Sequence, residues 1–371
     1  MDSSIRMGGG ATVDVGDAMS VSSVTSLDVS TGGTMTSLSQ DMDLYVDSML
    51  SASVDTMVFA ASDDATVSVA DVLTLNTRDA AISADGDFDL LVAGSSSISS
   101  EGMSIDADST LAVSAGEIAT ITTAELELSA SKSVEVTTEQ LTVDSALSME
   151  VFSGSSLGVT ATKLEVSSFE DTTLSAGERV TVMSADATLN VGDTLDVSAD
   201  DTRVRNSGVV DVFAAEGTRL TSSDVTVSVA DKVEVLGGGE VKVTTSSLDL
   251  SADTAASVST TDLMMSVNSG MTATVGSTTQ LTSTDVKVDA ANDVKVSGLA
   301  EAFIDSVSAK VRTSAGVQAE VGSDLGVVGH DVKLDVVAST ELSSSDVTID
   351  AAGTIAASAA GAMELTAGAM A

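Results

Sequence analysis

Residues 225–247 read VTVSVADK, VEVLGGGE and VKVTTSS, three short segments in which valine alternates with other residues. Alternation with a period of two is the pattern of a half-buried β-strand, and valine and threonine suit a pleated surface. Each segment then ends in small or charged residues, which are typical of a corner. The stretch therefore predicts short strands that follow one another directly.

The same pattern recurs along the chain with a longer period. The segment ends at Asp224, Asp285 and Asp346 are equally spaced along the chain. This spacing predicts five complete repeats, 42–102, 103–163, 164–224, 225–285 and 286–346. Each repeat divides into eight segments of 8, 8, 7, 8, 7, 8, 8 and 7 residues. Because a one-residue slip would turn the apolar side chains outward, the retained spacing indicates a continuous buried face.

The first and third residues of the leading segment in each repeat are apolar. In the later repeats these core positions are Val225 and Val227, Val286 and Val288, and Val347 and Ile349. The fifth residue is smaller, and the second is polar, as in Thr226 and Lys287. Positions 1, 3 and 5 are therefore expected to point inward and positions 2 and 4 outward.

Segments this short leave no room for a crossover helix, which excludes folds built from βαβ units. The fold class is therefore all-β: a fibrous β-helix or β-solenoid with strand segments of 7–8 residues and a 61-residue superrepeat. Since the inward residues are Val, Leu, Ile, Met and Ala, the core is expected to be narrow.

The number of segments bears on the number of chains. A single-chain three-sided β-solenoid uses three segments in each coil, and eight segments do not divide by three. In an intertwined homotrimer the three chains are equivalent and the conflict does not arise. The repeat therefore favours the homotrimer, with the single-chain three-sided solenoid as the alternative; a two-sided solenoid with four coils in each repeat also fits the count.

The short segments with a V-x-V core, such as Val241-Lys242-Val243 and Val286-Lys287-Val288, resemble a known family. They are similar to the triple-stranded β-helix shafts of phage tail spikes and VgrG-like needle proteins of type VI secretion. The resemblance spans about residues 12–369 and consists of periodicity. It implies a rigid, trimeric rod.

The two ends of the chain differ from the repeats. Residues 1–11 form a lead-in, 12–346 the rod, and 347–371 a partial repeat in which Glu364 is the single charged residue after position 350. An end this poor in charge is expected to be an interface with another rod or with a cap or docking protein. Its apolar residues are Ile355, Met363, Leu365 and Met370.

Composition excludes several classes of protein. The 371 residues include no Cys, so there is no disulfide scaffold, and 56 acidic against 15 basic residues give a net charge of −41. Such a charge argues against nucleic acid or an anionic membrane as a partner. Without an apolar run long enough for a membrane span, and without a signal peptide, cytoplasmic synthesis is expected, and the rod could then form part of a virion, a filament or a cell-surface appendage.

Few residues suggest chemistry. His330 is the single histidine and is expected in a solvated corner. Asp85, Asp87 and Asp89 alternate as calcium ligands could, but Leu90 and Ser96 occupy the positions where an EF-hand needs Gly and Glu. A solvated acidic face is the better interpretation; weakly bound divalent cations are the alternative, and no other cofactor is expected.

These observations favour a non-enzymatic structural rod or filament subunit that self-associates through its ends and sides. A phage or secretion-system spike or fibre is the first alternative. A cation- or surface-binding solenoid is the second, although the linear sequence has no regular Thr-x-Thr column.

Overall fold

The computed structural model describes the backbone of the following residues: 3–7, 11–14, 19–23, 26–31, 34–40, 42–229, 232–237, 240–252, 255–267, 271–275, 278–290, 294–298, 301–313, 317–321, 324–329, 331–336, 340–344, 346–351, 355–359 and 363–367. Side chains are described throughout 42–216 and at individual positions outside that range. The described residues contain strands and no helix. The chain forms two compact units, Met1–Ser184 and Ala185–Ala371, and the fold is a β-solenoid of parallel stacked coils.

The strands that begin in the first unit are β1 (Ser3–Met7), β2 (Ala11–Asp14), β3 (Met19–Ser23), β4 (Ser26–Thr31), β5 (Thr34–Ser39), β6 (Met42–Val46), β7 (Met49–Ala61), β8 (Ala65–Val69), β9 (Val72–Ala84), β10 (Phe88–Val92), β11 (Ser95–Ser99), β12 (Gly102–Ala107), β13 (Thr110–Ala115), β14 (Ile118–Thr123), β15 (Glu125–Ala130), β16 (Ser133–Ser145), β17 (Met149–Ser153), β18 (Ser156–Ser168), β19 (Thr172–Ala176) and β20 (Arg179–Val191).

The strands that begin in the second unit are β21 (Thr194–Asn206), β22 (Val210–Ala214), β23 (Gly217–Val229), β24 (Lys232–Gly237), β25 (Glu240–Ala252), β26 (Ala255–Val267), β27 (Met271–Val275), β28 (Thr278–Ala290), β29 (Val294–Gly298), β30 (Glu301–Thr313), β31 (Val317–Val321), β32 (Asp324–Gly329), β33 (Asp331–Val336), β34 (Thr340–Ser344), β35 (Asp346–Ala351), β36 (Ile355–Ala359) and β37 (Met363–Ala367).

Three strand segments close one coil. Strand β10 pairs in parallel with β13, β11 with β14, and β12 with β15. Along one side of the solenoid, Ala65 is therefore the partner of Phe88, and Phe88 is the partner of Leu111 in the coil after that. Each coil takes its three sides from one chain, as the single-chain alternative predicts, and the homotrimer stays a prediction.

The three sides of the first unit are called faces A, B and C. Face A comprises β3, β6, β8, β10, β13 and the first halves of β16 and β18. Face B comprises β1, β4, the first halves of β7 and β9, β11, β14 and the second halves of β16 and β18. Face C comprises β2, β5, the second halves of β7 and β9, β12, β15, β17 and β19.

The second unit has the same construction. Val225 of β23 pairs with Leu248 of β25, and Leu248 with Met271 of β27. These steps along the chain equal the step from Phe88 to Leu111, and the step is one residue shorter where Val241 meets Leu263. Three parallel columns of strands therefore continue through this unit as well.

The backbone ladder continues around the corner between faces A and B. The N–H of Ala70 donates to the carbonyl oxygen of Val46 at 2.9 Å, that of Ala93 to Val69 at 2.9 Å, and that of Gly116 to Val92 at 2.8 Å. A Cβ at Gly116 would overlap the carbonyl oxygen of Ala93, so at this coil the backbone lies where glycine fits, whereas alanine occupies the same corner position in the two preceding coils. Successive coils are thus hydrogen-bonded at the corner as well as along the strands.

Other corners are closed by buried hydroxyl groups at the fifth position of a segment, here called the corner hydroxyls. Each lies within hydrogen-bond reach of one carbonyl oxygen in the preceding coil and of one just beyond the corner. They belong to Thr77, Thr123, Thr138, Ser145, Ser153 and Ser168. Threonine occurs in the shorter segments and serine in the longer ones. Several of these carbonyl oxygens also accept a backbone N–H, as that of Glu101 does from Ala124, so the hydroxyls add a side-chain bond to the backbone bonds at the bends.

The predicted inward register is confirmed where side chains are described. Val225 and Val288 are buried, and Val227 is partly buried and packs against the same apolar cluster. Val286, Val347 and Ile349 lie in paired strands, but their side chains fall outside the described set. The predicted inward positions are thus confirmed, although Ser96 and Thr172 fill two of them with polar side chains and Phe152 is an exposed apolar residue at an outward one.

Two segments begin one residue away from the predicted position. In the first repeat Met57, not Val58, points inward, since Met57 is buried and pairs with Met35. This register places Met57, Phe59 and Ala61 at the three inward positions, whereas the predicted one would place Ser62 there. In the last repeat Leu325, not Asp324, pairs with Val347.

The predicted conflict between eight segments in each repeat and three segments in each coil does not arise in the structure. Equivalent residues of successive repeats do fall on different sides: Met42 on face A, Met103 on face C and Leu164 on face B. All three are buried. Because every face needs the same alternation of apolar and polar residues, equivalent segments of successive repeats can lie on different faces and still bury their apolar residues.

The predicted lead-in includes part of the ladder. Strand β1 lies within residues 1–11 and pairs with β4 through Ser3 and Leu27. At the other end, β36 pairs with β33 and β37 with β34. Residues at both ends are therefore hydrogen-bonded into coils.

Candidate functional site

The aspartates that the sequence marks as candidate cation ligands lie at the corner between faces C and A. Asp85 and Asp87 follow β9 and are exposed, whereas Asp89 lies within β10 and is half-buried. The corner interrupts the strand that would have aligned the three side chains on one face. Within the described part of the chain, no three His, Cys, Asp or Glu side chains are grouped so as to hold a metal ion.

Carboxylates at this corner bind the backbone of the next coil. Oδ1 of Asp64 accepts the N–H of Asp87 at 2.8 Å, and Oδ1 of Asp87 accepts the N–H of Thr110 at 3.0 Å. In the second unit Oδ1 of Asp186 accepts the N–H of Val209 in the same way, at 3.1 Å. Each bond reaches exactly one coil further along the chain, so these aspartates connect successive coils at the corner.

The two neighbouring carboxyls have opposite pKa shifts. Hydrogen bonds from Ser109 and from the Thr110 N–H, with the charge of Lys132, hold the pKa of Asp87 below its usual range against the opposing effect of desolvation. Burial raises the pKa of Asp89, and the charges of Asp87 and Asp64 add to that effect. Asp87 therefore stabilises the fold when ionised, and ionised Asp89 opposes it.

Neutralising these residues should change stability in opposite directions. We expect Asp87→Asn to lower the melting temperature at pH 7 and Asp89→Asn to raise it, each on the order of 1–2 °C for such accessible groups. The contribution of Asp87 is present above its unfolded pKa and is lost as the pH falls through its lower folded value. The penalty at Asp89 disappears as the pH falls through its raised folded value. Thermal melts at pH 7 and pH 2.5 should show both differences shrinking in acid, and shifts of the same sign would contradict this assignment.

The described ion pairs neutralise few carboxylates. They join Arg78 to Asp55, Lys163 to Glu165 at 2.6 Å, Arg203 to Asp201 at 2.7 Å and Arg219 to Asp196 at 3.8 Å. With 56 acidic and 15 basic residues in the chain, most carboxylates must be balanced by dissolved ions or by a partner.

Face B carries an uncharged patch, whose residues come from segments that are far apart in the sequence. In four successive coils its outward pairs are Ser51 and Ser53, Thr74 and Asn76, Ser97 and Ser99, and Thr120 and Thr122. Most are exposed, with Ser51 and Thr120 half-buried. By contrast, face C presents Asp106, Glu127 and Glu150 outward, and face A presents Asp43 and Glu135. Because the chain visits the three faces in turn, the pairs of face B are separated in sequence by residues of the other two faces.

The remaining predicted site residues lie either outside the described residues or in strands of which the backbone alone is described. His330 and Met370 lie outside the described residues. Ile355 lies in β36, and Met363 and Leu365 lie in β37, where the description covers the backbone. The expected interface at this end stays a prediction.

The described residues include no helix of the length and apolar character that a membrane span requires. No family model, curated protein or solved structure matches the chain.

Proposed function

We propose that the protein is a non-enzymatic structural subunit that assembles with further copies through its ends and sides. The observation that carries this proposal is the parallel ladder, which bonds each coil to the next along the strands and at the corners. A stack of this kind presents unpaired N–H and C=O groups at its last coil, and these groups match the first coil of another stack. The charge-poor stretch with Ile355, Met363, Leu365 and Met370 supports contacts at that end.

The uncharged patch on face B supports contacts through the sides. Two copies that each carry a net charge of −41 repel one another, least where neither surface has carboxylates. Uncharged pairs such as Ser97 and Ser99 follow one another at each of the four coils, ~4.8 Å apart, so two such faces can meet in register. A pair of solenoids in contact through these faces is the smallest lateral assembly that we propose, and the homotrimer stays a prediction.

Assembly should depend on salt and on the uncharged patch. We expect the full chain to exceed 37.0 kDa in light scattering once salt screens its charge, with a Debye length of ~8 Å at 0.15 M. The double variant Ser97→Glu/Ser99→Glu should lose lateral association because it places two carboxylates within the patch. Deleting residues 347–371 should leave lateral association intact and remove end-to-end filaments from electron micrographs.

The matched control is Ala81→Glu/Ser83→Glu, which adds the same charges at exposed positions on face C. It should assemble like the unmodified chain, and circular dichroism should show that all variants are folded. A full chain that stays at 37.0 kDa at every salt concentration would refute the proposal.

A surface-binding solenoid is the second candidate, and the uncharged patch also favours it. The paired columns of hydroxyl and amide groups have the regularity that a crystalline, hydroxyl-bearing surface such as ice presents. A monomeric chain that adsorbs to ice and loses adsorption in Ser97→Glu/Ser99→Glu would favour this candidate over self-assembly.

A further inference from the structure

The axis of the solenoid is less completely filled than its perimeter. In the second unit Val225 and Leu263, at the first position of a segment and next to a corner, are buried. Val227, Val235 and Val243, at the third position and in the middle of a face (mid-face), pack against the same cluster and are only partly buried. Valine side chains from three faces are too short to meet at the axis, and there are six Phe and no Trp in the whole chain to fill it.

In the first unit this incomplete filling becomes a cavity of about 190 Å³. Its walls come from the middle of all three faces, as in Leu44 and Leu90 of face A, Ala52 and Ile98 of face B, and Phe59 and Ile105 of face C. Among the described residues the lining includes no charged side chain, and the hydroxyl of Ser37 lies 3.9 Å from Sδ of Met42. Apolar cavities of this size stay dry and take up apolar molecules.

The cavity is long and thin. Its lining runs from Val21 to Ile105, across four successive coils, which at ~4.8 Å per coil is about 14 Å. The cavity is therefore elongated along the axis of the coils, a shape that an extended hydrocarbon chain matches better than a compact ring.

We propose that this cavity binds one unbranched hydrocarbon chain. If a methylene group fills roughly the 30 Å³ that a water molecule occupies in the liquid, the volume holds about six carbons. The uncharged lining rejects a carboxylate or ammonium group, because burying an unpaired charge is costly. Met35, Met42 and Met57 line the cavity and can adjust to the chain, since methionine is flexible and polarisable.

The test is the thermal stability of the full chain in buffer saturated with n-hexane or with cyclohexane. Because a ligand that binds the folded state alone raises the melting temperature, n-hexane should raise it by about 2 °C, and cyclohexane should not. Ala52→Leu, which adds three carbons to the wall, should raise the melting temperature by itself and cancel the response to n-hexane. The matched control is Val143→Leu, at a mid-face position of face B outside the cavity, and it should retain the response.

Equal shifts with both hydrocarbons, no shift with n-hexane, or an unchanged response in Ala52→Leu would each overturn the proposal. If Ala52→Leu does not fold, Val67→Ile places one more carbon in the same cavity and should weaken the response. The ¹²⁹Xe chemical shift gives a second measurement: xenon should bind the unmodified chain and be excluded by the filled variant.

Discussion

Val134→Asp is expected to unfold the first unit. Val134 is fully buried at 0% exposure, in a column with Leu111 below it and Leu157 above it. A carboxylate there has no polar partner and must either be buried charged or take up a proton, which costs several kcal/mol in either form. We expect a loss of more than about 4 kcal/mol, measured by chemical denaturation followed with circular dichroism.

Thr137→Asp is the matched control for this change. Thr137 lies in the same strand, is exposed, and has Ser114 and Thr160 as neighbours in the ladder. The same charge should cost less than about 0.5 kcal/mol at that surface position. Equal losses for the two variants would refute the register of face A.

Thr77→Val should cost about 1 kcal/mol, because it removes the hydrogen bond that the buried hydroxyl donates at the corner. The Oγ1 of Thr77 lies 3.1 Å from the carbonyl oxygen of Asp55 and 2.8 Å from that of Asp79. Valine has nearly the same shape as threonine, so the change removes the hydroxyl and little else.

Thr74→Val makes the same substitution in the same segment, at an exposed position on face B. It should leave the free energy of unfolding within about 0.5 kcal/mol of the unmodified chain. If both variants lose little, the corner hydroxyls do not hold successive coils together. If both lose equally, the cost comes from the strand and not from the corner.

The sequence predicted the strands and their inward residues because both follow from local alternation. Val225 and Val288 are buried as expected. The prediction that Val58 points inward was wrong, because Met57, Val58 and Phe59 are three consecutive apolar residues and alternation does not show which of them begins the segment. There the burial of Ala61 in place of Ser62 determined the register.

The stacking of the segments could not be derived from the sequence. All segments carry the same alternation, so nothing local shows that Phe88 meets Leu111 and not another apolar residue. The uncharged patch on face B, the aspartates joining successive coils and the cavity all depend on that step from one coil to the next. The corner hydroxyls could not be predicted for a different reason: serine and threonine occur at outward and inward positions alike, so the residue type does not identify them.

The mismatch between repeat and coil also limits how such a protein can evolve. A 61-residue repeat spans two coils and two further faces, so each tandem duplication carries a given position to a new side, as the buried residues Met42, Met103 and Leu164 show. Ser51, Thr74, Ser97 and Thr120 occupy four different segments of the repeat, so duplication of the 61-residue repeat cannot have copied one from another. Repeat duplication therefore does not produce a uniform side, whereas inserting or deleting one whole coil changes the length and keeps all three sides aligned.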